Sequence, residues 1–181
     1  MNASEGGLDE FRAHVRAALE ERLAPRRADN AFTVLGAGTD DIEAGREYLR
    51  ALADGGWAVP TWPAEYGGLG ATGAQAAVVA QELARFEVPD LYPYVIGLAI
   101  AGPTLVDHAT AEQCKRWLPP IGTGEEIWCQ LFSEPDAGSD LASLATRAEQ
   151  DGDQWRVTGS KVWSSRAHYA QRGLLLARTD P

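Results

Sequence analysis

The sequence predicts an α+β chain, with an all-helical N-terminal domain over residues 1–124 followed by a partial antiparallel β domain over 125–181. Two observations predict it. Apolar residues recur every three or four positions through the first two thirds, the spacing of a helix face. From about Gly122 the pattern changes to short apolar and aromatic runs separated by turn residues, the signature of strands.

Leu8, Phe11, Val15, Leu19 and Leu23 form the first stripe, which Pro25 and the polar run after it end. Asp40 or Asp41 caps a second helix with Ile42, Tyr48, Leu49 and Leu52 inside, and Gly55-Gly56 stops it. Trp57 to Gly73 is a Pro- and Gly-dense loop whose Trp57, Trp62 and Tyr66 predict packed rings. Ala74 to Phe86 predicts a third helix, stopped near Pro89. Tyr92 to Val106 is apolar almost all round, which predicts a buried helix kinked by Pro103. Thr110 opens a short helix because Gln113 stands where a capping box needs it, and Pro119-Pro120 closes it. Strand candidates are 128–133, 146–149, 154–158, 161–165 and 173–177, with Asp151-Gly152-Asp153 as a hairpin turn.

Composition excludes several classes. Hydrophobic residues make up 45% of the 181, enough for a packed core. The net charge of −10, with no long Lys/Arg run, argues against nucleic acid and anionic lipid as partners. The longest apolar stretch is about half of the ~18 residues that a membrane span needs. Cys114 and Cys129 make no disulfide framework, and the start is acidic without a signal-peptide pattern, so a cytoplasmic protein is expected. His14, His108 and His168 have no ligand spacing, and no metal is expected.

Two segments carry candidate chemistry. Gln130-Leu131-Phe132-Ser133 runs as a strand into Glu134-Pro135-Asp136-Ala137-Gly138-Ser139-Asp140, a Pro/Gly turn with hydroxyls at Ser133 and Ser139. Gly beside Ser lets backbone N–H groups approach a phosphate or the polar edge of a ring; the same residues equally suit a plain structural turn. In Thr158-Gly-Ser-Lys-Val-Trp-Ser-Ser165, strand alternation sends Trp163 and Ser165 to one face and Val162 and Ser164 to the other. An indole and a hydroxyl on one face can bracket a flat ligand; a half-buried strand with a core Trp is the plainer reading. Glu134, beside Pro135, is a turn residue and not a catalytic base.

These segments resemble the acyl-CoA dehydrogenase family. Trp57 to Gly70, Glu112-Gln113 with Leu118-Pro119, Ser133 to Asp140, Gly159 to Ser165 and Leu175 to Asp180 match its motifs in order, over roughly residues 40–181. The resemblance implies FAD as cofactor and α,β-dehydrogenation of an acyl-CoA thioester. It implies flavin contacts at Gln130, Leu131, Phe132, Ser133, Gly138, Ser139, Trp163, Ser164 and Ser165, with Ser165 near flavin N5 and Ser139 also on the acyl-CoA. Tyr92, Tyr94 and Val95 would border the acyl pocket or simply pack the core. Asp136 replaces a frequent Gly, and Arg166 a frequent Gly or Asn, which alters the loops.

By the same resemblance the catalytic carboxylate lies beyond residue 181, in a C-terminal helical domain absent here, so no catalytic residue is expected and the chain alone should be inactive. Electron-transfer flavoprotein is the expected acceptor, and a tetramer or mixed oligomer the expected full-length assembly. A flavin monooxygenase or nitroalkane oxidase of the same fold, and a non-catalytic partner subunit, remain alternatives.

Overall fold

The computed structural model describes residues 3–27 and 40–180. They belong to two compact units, Met1–Glu126 and Ile127–Pro181. Most of the polar run after Pro25 falls on 28–39, outside the described residues.

In the first unit α1 (Ala3–Glu20) turns Val15 and Leu19, both fully buried, toward a core completed by Tyr48, Leu52, Trp57, Val79 and Phe86. α2 (Ile42–Ala53) begins where the Asp41 carboxylate accepts the Ala44 N–H at 3.0 Å, as the sequence predicts. The loop after it packs its rings: Trp57, Trp62 and Tyr66 are buried. α3 (Gly73–Leu83) and α5 (Ala111–Gly122) each open with a full capping box, Thr72 with Gln75 and Thr110 with Gln113. Between α3 and α1, the buried Glu82 binds Arg12 at 3.0 Å, Arg16 at 2.8 Å and Arg85 at 3.0 Å.

Two expectations in this unit need correction. Pro119-Pro120 does not close α5, which runs on to Gly122. The carbonyls that lose their N–H partners belong to Lys115 and Arg116, both exposed, where water can serve them. Nor is the apolar stretch after Tyr92 one helix buried all round. It comprises a 3-10 turn (Tyr92–Tyr94), a π-helical segment (Ile96–Ala101) and α4 (Gly102–His108). Pro93, Tyr94, Gly97, Ala101, Gly102 and Leu105 are buried, whereas Tyr92 and Val95 are exposed. Pro103 lies where the ladder changes from five-residue to four-residue spacing, so the N–H it lacks is not missed. The Tyr94 hydroxyl donates to the Ile42 carbonyl at 2.6 Å and ties this segment to α2.

The second unit holds two strand pairs. β1 (Trp128–Leu131) and β4 (Arg172–Leu175) pair in parallel, Trp128 opposite Arg172. β2 (Arg147–Asp151) and β3 (Gln154–Thr158) form the expected antiparallel hairpin, Asp151 opposite Gln154. Gly152 has φ +63° while Asp153 stays at negative φ, the combination of a type II′ turn. Pairing is thus antiparallel in the hairpin, as expected, and parallel between β1 and β4. Arg178 closes the hairpin from below: its N–H donates to Thr146 at 2.8 Å and its carbonyl accepts from Ala148 at 2.8 Å. No helix among the described residues is long and apolar enough to cross a membrane.

Candidate functional site

The two hydroxyl-bearing segments of the second unit meet. β1 carries Gln130 and Leu131, and the chain continues through half-buried Phe132 and Ser133 into a turn closed by Glu134 N–H to Ala137 O at 2.7 Å. The second segment lies alongside: the Val162 N–H donates to the Ser133 carbonyl at 2.9 Å. Gly138 and Ser139 are exposed beyond the turn, and a Cβ on Gly138 would meet nothing within 4 Å, so its backbone stays open to a ligand. Asp136, where a glycine had been expected, keeps a negative φ, so a side chain there brings no strain.

Although the expected alternation survives in their exposure, with Trp163 and Ser165 exposed and Val162 and Ser164 half-buried, residues 161–165 are not a strand. The reason is backbone geometry. Trp163 at φ +59° and Arg166 at φ +64° are left-handed, and Ser165 N–H folds back to Trp163 O at 2.8 Å. They are the only non-glycine residues with positive φ among those described, and they bracket Ser164-Ser165. Left-handed conformation costs a non-glycine residue about 1–2 kcal/mol and concentrates at functional sites. The consequence for the side chains is specific. The Trp163 indole is 88% exposed. Ser164, and not Ser165, turns its hydroxyl inward, where the oxygen is buried without a partner. Replacing Arg166 by Asn, which tolerates this conformation, is expected to stabilise the second unit by roughly 1 kcal/mol, read as a higher denaturation midpoint.

Under the meeting point lies a pair that the sequence reading did not assemble. Lys161 Nζ donates to Glu134 Oε1 at 2.7 Å and to the Phe132 carbonyl at 2.9 Å. Glu134 also accepts the Ala145 N–H at 2.6 Å and the Thr146 N–H at 2.9 Å. The Lys161 and Glu134 side chains are only 8% and 7% exposed. The Lys161 ammonium first, with the backbone N–H of Ala145, holds the Glu134 carboxyl down to about 2. A carboxylate so held is a poor proton acceptor, in keeping with its reading as a turn residue. A lysine entering an otherwise uncharged segment was the signal available for its partner. Cys129 is buried, which raises its thiol above the ordinary value and keeps it an unreactive apolar neighbour. No cluster of three or more metal-ligating side chains occurs among the described residues.

An open turn on one segment, with an exposed indole and a buried unpartnered hydroxyl on the segment beside it, fits a flat ring with a polar edge. Comparison with known proteins gives that arrangement its context. Residues 7–125 match the model of the acyl-CoA dehydrogenase N-terminal domain, and residues 129–181 match that of the acyl-CoA dehydrogenase middle domain. The chain belongs to the acyl-CoA dehydrogenase family. It is 44% identical over 176 residues to the acyl-CoA dehydrogenase IpdE1 of Mycobacterium tuberculosis, covering 96% of this chain and 45% of that protein. Among solved structures it is similar to the Tcur3481-Tcur3483 steroid ACAD G363A variant, with a TM-score of 0.69 and 37% identity over 98% of this chain and 45% of that one. It is also similar to the ChsE4-ChsE5 complex from Mycobacterium tuberculosis, with a TM-score of 0.67 and 31% identity over 97% of this chain and 42% of that one. The chain therefore spans less than half the length of each of these proteins. A helical N-terminal domain followed by a small β region is the acyl-CoA dehydrogenase architecture that the sequence resemblance implied.

Proposed function

We propose that this chain is the FAD-binding N-terminal portion of an acyl-CoA dehydrogenase that oxidises the α,β bond of an acyl-CoA thioester. The helical domain is assigned to 1–124 and the flavin-binding start of the middle domain to 125–181. The observation that carries the reading is the junction of Ser133 with Val162, beside an exposed Trp163 and the unpartnered Ser164 hydroxyl.

In this reading Gln130, Leu131, Phe132 and Ser133 line one side of the flavin site, Gly138 and Ser139 present backbone N–H groups to its anionic portion, and Trp163 covers the ring face. Ser164 donates its hydroxyl to the polar edge, and Ser165 stands next to it. Ser139 is also assigned to the acyl-CoA. Bound FAD would supply the acceptor for the β-hydride. The protein's own part is to hold the ring, exclude water and orient the thioester. Glu134, tied to Lys161, is not assigned as the α-proton base, and the chain by itself is assigned no turnover. Similarity to a protein described as a steroid ACAD favours a bulky ring-bearing acyl group. Electron-transfer flavoprotein is the proposed acceptor, and the relatives described as two-component assemblies favour a mixed oligomer over a lone chain.

Titrating the purified chain with FAD tests the assignment through quenching of flavin fluorescence and a shift of the visible band. One-to-one binding is expected, weakened roughly three- to tenfold in Ser164→Ala, the range of one hydrogen bond. Absence of binding would count against the reading. Turnover of acyl-CoA with an artificial acceptor would overturn the assignment of inactivity.

A further inference from the structure

Three chain segments far apart in sequence, 132–134, 145–146 and 161–162, are joined at one buried ion pair. Glu134 spends three acceptor bonds there, on Lys161, Ala145 and Thr146, and Lys161 spends two donor bonds, on Glu134 and Phe132. The 159–165 segment is outside any strand, and the backbone bond joining it to the first segment is Val162 to Ser133. A buried ion pair is a weak device for stability alone, because desolvation cancels much of its attraction and apolar substitutes often do as well. Its particular strength is geometry, since both charges must keep all their partners at once. It also lies directly before the two left-handed positions, where the backbone will relax to ordinary φ unless its surroundings hold it.

We propose that Lys161 and Glu134 are positioning residues, a clasp that fixes the Trp163-Ser164 arm against the Ser133 arm and so sets the shape of the flavin site. The inference rests on the flavin reading given above for its purpose, but not for its mechanical content. Removing the pair releases the second arm, lets Trp163 and Arg166 leave their strained conformations, and uncouples the Ser164 hydroxyl from Ser133.

The test compares the chain with Lys161→Met/Glu134→Gln and Lys161→Arg. The neutral double variant leaves no lone buried charge, and its single amide oxygen keeps an acceptor for one of the Ala145 and Thr146 N–H groups, which Glu134 serves with separate oxygens. Hydrogen exchange read by mass spectrometry over 159–165 is the first readout, and FAD titration the second. At least tenfold faster exchange at Val162 is expected in the double variant, with the hairpin 147–158 and the helical unit unchanged. Lys161→Arg, which keeps the charge and the donors, should stay near the parent chain. FAD affinity should fall at least tenfold in the double variant.

Exchange at Val162 within twofold of the parent overturns the clasp. So does unchanged FAD affinity despite a loosened arm. Uniform loss of protection across the whole second unit also overturns it, because the pair would then be a general stabiliser. If the parent chain takes up no FAD, the flavin reading fails while the exchange data still decide the clasp.

Discussion

Trp62→Ala is expected to destabilise the helical unit by about 3–5 kcal/mol, the cost of deleting a large buried aromatic side chain. Trp62 is 3% exposed and serves as more than core filler. Its carbonyl accepts the Gly70 N–H at 2.8 Å, its N–H donates to Val59 at 3.0 Å, and its ring covers the backbone of Gly102. The approach at Gly102 is so close that an added Cβ would overlap the ring. Glycine is unfavourable within a helix by close to 1 kcal/mol relative to alanine, yet Gly102→Ala should lower stability here because the indole leaves no space. In Trp62→Ala that overlap is gone and the Gly97 carbonyl, 3.0 Å from the added Cβ, is the remaining close neighbour, so Gly102→Ala should cost less in the Trp62→Ala background than in the parent chain. Urea denaturation of the three variants checks both the loss and its non-additivity.

Glu82→Ala should cost the same unit roughly 2–3 kcal/mol, less than a fully buried pair because the three guanidinium groups are a third to a half exposed. Glu82 is 2% exposed, and without it Arg12, Arg16 and Arg85 lose the counter-charge they share, with Glu20 still acting on Arg16. The Arg16 hydrogen bond first, against the opposing effect of burial, and then Arg12 and Arg85 hold the Glu82 carboxyl at about 2, below the ordinary 4.5. A carboxylate depressed in the folded state stabilises it fully above the unfolded value. That contribution is lost as pH falls from 4.5 toward about 2. Glu134, held at about 2 in the second unit, gives the same sign in the same window. Thermal melts from neutral pH down to about pH 2 should therefore fall steeply below the ordinary carboxylate range. In Glu82→Ala the helical unit should start lower and show a shallower acid slope.

Much of the helical unit was legible because its signals are local. Asp41 before Ile42, and Thr110 three residues before Gln113, announce helix starts through side chains that satisfy the first N–H groups. The failures there were equally physical. Pro119-Pro120 reads as a stop only if the lost bonds matter, and on an exposed turn they do not. An apolar run from Tyr92 reads as buried on all sides because sequence does not say which sides have neighbours.

In the β unit the hairpin turn was plain from Asp-Gly-Asp, whereas the parallel partner of β1 lies more than forty residues away in β4, with no local mark of the match. The candidate site was legible as to which segments take part and illegible as to how they are held. Serine and tryptophan at 163–165 were readable as candidate ligand groups, but the left-handed turn that selects Ser164 over Ser165 depends on contacts from elsewhere in the fold.

The π-helical segment Ile96–Ala101 has a consequence for how this chain tolerates length changes. Such a turn is an α-helix that has absorbed one surplus residue. Because the surplus is taken up within one widened turn, excising a single residue from it would return that turn to regular winding and leave Tyr94 and α4 close to their present faces. An excision from α4 itself has no such slack and would rotate the turns on either side of it by about 100° relative to each other. The indel record of related chains should therefore admit single-residue gaps within 96–101 and refuse them within 102–108.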